Sequence, residues 1–259
     1  YDALDPGCGI VAENAATGQL MGSCFYHPRA EHVSLGIMNV HPNYFGQGAG
    51  RALLQYVIDY TDQNGYKALR LVQSALNLDS FSLYNKAGFV PRHSYQDMML
   101  TVPAGGMGGS PAGAENVRDA KPDDVKAIAA LEMDVSGITR EQDYRYFIEN
   151  ALGLWHMSVY ETHDGGIAGF LASCSHRAMN MIGPGVSRTD EQAIALVHRE
   201  LDQHRGSSPV SVIPMQRENL VRAMYGWGAH NCETHFCQVR GEYKPFDGVS
   251  LPTFLPETG

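Results

Sequence analysis

The sequence has no long apolar run. Nothing in it approaches the roughly 18 residues that a membrane-spanning helix needs, so no membrane partner is expected. It also lacks an excess of basic charge. The 19 Lys and Arg stand against 28 Asp and Glu, a net charge of −9. That balance argues against nucleic acid as an obligate partner, because phosphate recognition wants a basic surface. Cysteine is scarce: Cys8, Cys24, Cys174, Cys232 and Cys237 are odd in number and form no CxxC pair. His230, Cys232, His235 and Cys237 lie close together, but neighbouring positions of a strand face opposite ways, so no metal is expected there. Reduced thiols in a cytoplasmic protein are the expectation. Neither GxxxxGK[ST] nor GxGxxG occurs, which gives no support to a nucleoside-triphosphate loop or a Rossmann dinucleotide site. No N-terminal secretion signal is visible.

What is present is 44% hydrophobic residues, enough for ordinary packed cores, and a chain that reads as two halves. Residues 102–116, VPAGGMGGSPAGAEN, are a flexible linker by composition. The division is 1–101, a Gly-rich linker at 102–114, and 115–259. In the first half two strands surround a turn at Thr17-Gly18, and HVSLGIMNV is a third strand. Residues 49–63 form a helix striped by Leu53, Leu54, Val57 and Ile58 and stopped at Asn64-Gly65. A strand ALRLVQ, a short helix DSFSLYNKAG and a closing strand follow. The second half repeats this order, with its long helix at 190–204. The halves align at an offset of about 146 residues at Val40/Val186 and about 141 at Tyr84/Tyr225, a duplicated mixed α/β unit. Only the second half carries opening helices, VKAIAALEMDVSG and REQDYRYFIEN; the first is expected to be N-terminally incomplete. The terminal LPETG resembles a sortase recognition sequence without the apolar stretch and basic tail that sorting needs, and is given no function.

Gly46, Gly48 and Gly50 stand at the mouth of the helix at 49–63, where glycine costs stability. A helix start offers unpaired N–H groups and partial positive charge, a ready place for a diphosphate. Arg51 can add a charge-assisted bond. Around the loop, Val40, Pro42, Phe45, Gly46, Gln47, Gly48, Ala49 and Gly50 resemble motif A of the GNAT superfamily of N-acetyltransferases. Asn77, Ser80, Leu83, Tyr84, Gly88 and Phe89 resemble that family's second motif, at the expected distance. The resemblance covers 9–100 well and 115–245 more weakly.

The resemblance implies two GNAT-like domains in tandem, each an α/β unit on a mixed (α+β) sheet, the first without its opening strand and helices. It implies acetyl-CoA as co-substrate. The backbone of Phe45, Gly46, Gln47, Gly48, Ala49, Gly50 and Arg51 would hold the diphosphate, and the strand end Met38, Asn39 and Val40 the pantetheine arm. Asn77 and Ser80 would flank that arm, and Tyr84 would protonate the departing thiolate. Phe45 stands where the family usually has Arg or Gln. The base that takes the amine proton is open: Glu31, His32 and His41 flank the central strand, and Asn39 or Ser34 can relay through water. In the second half Thr189 and Gln192 make a capping box, with Asp190 and Glu191 in the first turn, where they would repel a diphosphate. That half is expected to be degenerate. The resulting expectation is an N-acyltransferase that acetylates an amine of a small-molecule acceptor by direct attack. The alternative is a non-catalytic CoA- or ligand-binding regulatory module of the same fold.

Overall fold

The computed structural model describes residues 3–176 and 178–254; the LPETG tail lies outside the described residues. The first half runs β1 (Gly9–Glu13), β2 (Leu20–Pro28), β3 (His32–Val40), α1 (Ala49–Gln63), β4 (Ala68–Ser74), α2 (Leu78–Lys86) and β5 (Val90–Met99). The second runs β6 (Val117–Asp119), α3 (Val125–Ser136), α4 (Glu141–Glu149), β7 (Trp155–Glu161), β8 (Ile167–His176), β9 (Met179–Ser187), α5 (Asp190–Asp202), β10 (Val210–Pro214), α6 (Glu218–Gly226), β11 (His230–Gly241) and β12 (Val249–Leu251). The order repeats as the sequence implies. The short strands β6 and β12 were not foreseen, because three residues are too few for an alternation to register.

The helix α1 packs through its predicted stripe. Leu53, Leu54, Val57 and Ile58 of α1 bury against Leu35, Leu69 and Leu71 of β3 and β4. Ala193, Val197 and Leu201 of α5 bury with Ile182 and Ile213. The opening helices α3 and α4 cover the other face of β7–β9 through Ile128, Val135, Tyr144 and Phe147. The first half has no counterpart of β6, α3 and α4 among the described residues. At the corresponding edge, Arg29 is locked between Asp5 (Nη1–Oδ1 2.7 Å) and Asp143 of α4 (Nε–Oδ2 3.0 Å), and Gln142 donates to Asp5 at 2.9 Å.

All strands join one twelve-stranded sheet in the order β1-β2-β3-β4-β11-β5-β10-β9-β8-β7-β6, with β12 beside β9. The order contains an exchange. β11, the closing strand of the second half, pairs antiparallel with β4, His235 opposite Ser74 through Gly241 opposite Ala68. β5, the closing strand of the first half, pairs with β10, Met99 opposite Val210. Each half therefore covers the other's open edge, and no strand edge is left exposed at the join. The intervening segment 102–114 is laid against the second half rather than hanging free. Val102 is buried, and the Met107 N–H donates to Asp202 at 2.7 Å.

Glu200 of α5 is fully buried and accepts from Ser173 Oγ (2.6 Å), Ser158 Oγ (2.5 Å) and His156 Nδ1 (3.0 Å). Burial alone would lower the His156 pKa, but the hydrogen bond and charge of Glu200, with Asp119, outweigh it and raise the value. A raised histidine stabilises fully below its unfolded value of about 6.5, and the contribution is lost as pH rises through the folded value. The melting temperature is therefore expected to fall by a few degrees as pH rises above about 6.5, and His156→Gln to flatten that slope. Thermal unfolding across pH reads this directly; an unchanged slope in the variant would remove His156 from the account.

Candidate cofactor slot and active site

β3 and β4 pair in parallel only over three positions, His32 to Ser34 against Ala68 to Arg70. Beyond them the strands part, although β3 runs on to Val40 and β4 to Ser74. The gap is a slot of about 330 Å³ lined by Gly36, Met38, Gln73, Asn77, Ser80 and Tyr84, with Met179, His235 and Phe254 on its far side. On its other edge β3 pairs with β2 through a bulge: Cys24 faces Met38 and Tyr26 faces Leu35, so Gly36 and Ile37 together oppose Phe25. A bulge bends the strand and takes a backbone group out of the ladder. Gly36 is required here, since a Cβ would stand 2.9 Å from both the Phe25 carbonyl oxygen and His27 Nε2.

The glycine loop follows β3 at the end where β3 and β4 no longer pair. Gly46 and Gly48 have φ of 75° and 87°, where other residues are strained. A Cβ at either would meet nothing within 4 Å. Backbone conformation therefore accounts for these two glycines, and the space above them is open. Gly48 is the N-cap of α1, with no side-chain cap and no acid in the first turn. The first N–H groups of α1 are thus left for an anion. Phe45, Gln47 and Arg51 are exposed around it, and Gln47 donates to the Asn43 carbonyl at 3.0 Å. Asn39 at the end of β3 is exposed, Met38 and Val40 are half-buried, Ala49 is buried and Gly50 half-buried. His41 caps the turn at Pro42–Tyr44, its Nδ1 accepting from Asn43 N–H at 3.2 Å.

Asn77 caps α2 by accepting from Ser80 N–H at 3.0 Å, so this carboxamide both starts the helix and faces the slot. Tyr84, about two turns further on, is 7% exposed. Burial, with the nearby Cys24 thiol, raises its pKa well above the ordinary phenol value, so the hydroxyl stays protonated. Glu31 and His32 lie elsewhere. They line a second cavity at the start of β3, where Glu31 pairs with Lys67 and His32 is wholly buried. The structure does not bring them to the slot with Tyr84.

It does bring another pair there. His235 of β11 lines the slot, and its Nδ1 is 2.9 Å from Asp97 Oδ1 of β5. With Nδ1–H donating to the carboxylate, Nε2 is the ring nitrogen that carries the free lone pair. Asp97, Glu233 and His235 offer one ligand atom each within 4.8 Å of one another, an arrangement the alternation argument did not anticipate. Glu233 accepts from Ser74 Oγ. His235 belongs to the second half and reaches the first half's slot only through the strand exchange.

The corresponding place in the second half is closed. Thr189 and Gln192 form the expected capping box on α5. Ala172 opposes the bulge between Ile182 and Gly185, so the extra residues are Gly183 and Pro184, and proline has no N–H to offer. The edge of β9 beyond its short pairing with β10 is occupied by β12, with Val249, Ser250 and Leu251 opposite Ser187, Val186 and Gly185. The second slot is filled by the chain's own strand.

Residues 1–89 match the acetyltransferase (GNAT) family. Among curated sequences, the UPF0157 protein YqkA of Bacillus subtilis is 36% identical over 88 residues, which is 33% of this chain and 25% of that protein. The aligned part thus spans a quarter of the relative. A putative acetyltransferase from Pyrococcus horikoshii has the same fold at a TM-score of 0.74 and 14% identity, over 98% of this chain and 81% of that one. A GCN5-related N-acetyltransferase from Sphaerobacter thermophilus superposes at 0.61 and 15% identity, over 92% and 82%. A tandem GNAT protein from the clavulanic acid biosynthesis pathway superposes at 0.56 and 14%, over 91% and 84%. No helix among the described residues is long and apolar enough to cross a membrane. Residues 1–89 are thus similar to the acetyltransferase (GNAT) family, and the chain as a whole has the GNAT fold, two such units in tandem.

Proposed function

We propose that this chain is an N-acyltransferase that moves an acetyl group from acetyl-CoA to the amine of a small molecule. The observation that carries the reading is an uncapped helix start at Gly48, in the loop that follows β3, the strand that lines the slot with β4, in the half that matches the family. When bound, acetyl-CoA supplies a thioester as acyl donor and a diphosphate as handle. The N–H groups at the start of α1 hold the diphosphate, with the exposed Arg51 beside them. The bulge at Gly36–Ile37 turns backbone N–H toward the thioester carbonyl, where negative charge develops. Tyr84 donates its proton to the departing sulfur. His235 takes the amine proton at Nε2 while Asp97 fixes the ring's tautomer. We assign that role to His235 rather than to Glu31 or His32, because only His235 lines the slot with Tyr84. Asp97 and Glu233 beside it favour an acceptor that arrives as a cation. Reduced thiols fit a cytoplasmic setting.

One observation favours the alternative of a binding module without turnover. Phe45, 66% exposed in the loop, provides no side-chain donor for a diphosphate. Calorimetric titration of acetyl-CoA, followed by thiol release in the presence of a panel of amines, separates the two. Binding with amine-dependent release supports the enzyme. Binding with no release from any amine selects the module, and no binding removes the enzyme and leaves only a module for another ligand.

A further inference from the structure

The second cavity, about 140 Å³ between the halves, is walled by the starts of β3 and β4, by Ser136 to Ile138 at the end of α3, and by Glu242 to Lys244 after β11. Arg70 lines it and is 3% exposed, yet its Nε and Nη2 have no acceptor. These two nitrogens form the side of a guanidinium that takes both oxygens of one carboxylate or phosphate. Its guanidinium lies over the Phe246 ring at 5.6 Å and next to the Cys237 thiol, both weak interactions. His32, alongside, is 1% exposed and neither ring nitrogen has a partner.

The surrounding charges are already matched. Glu31 pairs with Lys67, Glu132 with Arg140, and Asp5 and Asp143 with Arg29. Lys244 is engaged by the last carbonyls of α3. Glu242 lines the cavity but makes no ion pair with Arg70 among the described residues. Arg70 is left as a buried guanidinium without a carboxylate, an arrangement that is costly unless a counter-anion completes it. Burial, and the guanidinium charges of Arg70, Arg140 and Arg29 around it, drive the His32 pKa well down. His32 is therefore neutral and can donate one N–H.

We propose that this cavity is a binding site for a small oxyanion, a carboxylate or phosphate group held by the Nε/Nη2 fork of Arg70 with His32 as a further donor. Arg70 precedes Val72, which lines the slot, by two residues of β4, about 7 Å along the strand. An acid group on an acceptor molecule and a free anion acting as effector fit equally in chemistry. The proposal does not depend on acyl transfer, since it concerns anion binding with no donor present.

The test uses the full chain and thermal unfolding with sodium phosphate or sodium acetate, each against sodium chloride at equal ionic strength. A saturable stabilisation by at least one of the two anions is expected, and phosphate over acetate, or the reverse, tells a phosphoryl group from a carboxylate. Arg70→Gln is expected to weaken that response by at least about tenfold, and Arg70→Lys, which keeps the charge and loses the fork, by a similar factor. No response beyond chloride in the wild type overturns the proposal, as does an equal response in wild type and both variants. Should the variants not fold, crystals of the wild type grown with selenate decide through the anomalous signal: a selenium at Arg70 supports the site, and selenium only elsewhere overturns it.

Discussion

His235→Ala is expected to lower kcat by about 10²–10⁴-fold, the usual contribution of a positioned proton acceptor, while leaving acetyl-CoA affinity little changed. His235 is placed by β11, and its Nδ1 is tied to Asp97 at 2.9 Å. The ring is therefore held in one orientation and one tautomer, with Nε2 as the basic nitrogen. Asp97→Asn is expected to keep the fold and lose part of the rate, because an amide in that place can donate to Nδ1 and favour the wrong tautomer. Since the acceptor's proton leaves only as the new bond forms, kcat and kcat/KM are expected to fall together. Steady-state thiol release with the best amine from the screen measures this. A His235→Ala variant that keeps wild-type kcat would move the base to another group and leave His235 as a slot-lining side chain.

Gly48→Glu is expected to abolish acetyl-CoA binding by calorimetry, with Gly48→Asn as its control. Gly48 has φ of 87°, so any side chain there is strained, and Asn tolerates that region better than most. A carboxylate at a helix N-cap is otherwise compatible with the helix dipole, so the fold is expected to survive. What it meets is the diphosphate. Two like charges about 4 Å apart near a protein surface interact by about 4 kcal/mol, roughly three decades in Kd. The expectation is a loss of about 100-fold or more for Glu and less than about 10-fold for Asn. Equal losses in both variants would mean that backbone strain, and not charge, sets binding at this loop.

Much of the fold was legible because it rests on local signals. The stripe Leu53, Leu54, Val57 and Ile58, the Asn64-Gly65 stop and the Thr189–Gln192 capping box all depend on residues within a few positions of each other. The glycine loop was legible in the same way, although its glycines answer first to φ and only then to a ligand. The strand exchange was not legible. Nothing in the alternation of β5 or β11 says whether its neighbour is β4 or β10, because both offer an apolar antiparallel partner. The His235–Asp97 pair was missed for that reason: the two residues are 138 positions apart and meet only once the closing strands cross over. Glu31 and His32 drew attention as titratable groups beside the central strand, and sequence distance could not show that the slot opens at the strand's opposite end. The degeneracy of the second half was read from its acidic helix start, while the strand that fills its slot was too short to see.

That strand, β12, has a thermodynamic meaning. It lies against β9 as a bound arm would, tethered to the same chain, so its local concentration is fixed by covalent connection rather than by supply. The second cleft is saturated whatever the state of the cell. Ligand occupying the first cleft, by contrast, stabilises the fold in proportion to the logarithm of its concentration. One cleft is thus closed by the chain itself, and the other, on the function proposed above, would report through its own stability how much ligand is at hand.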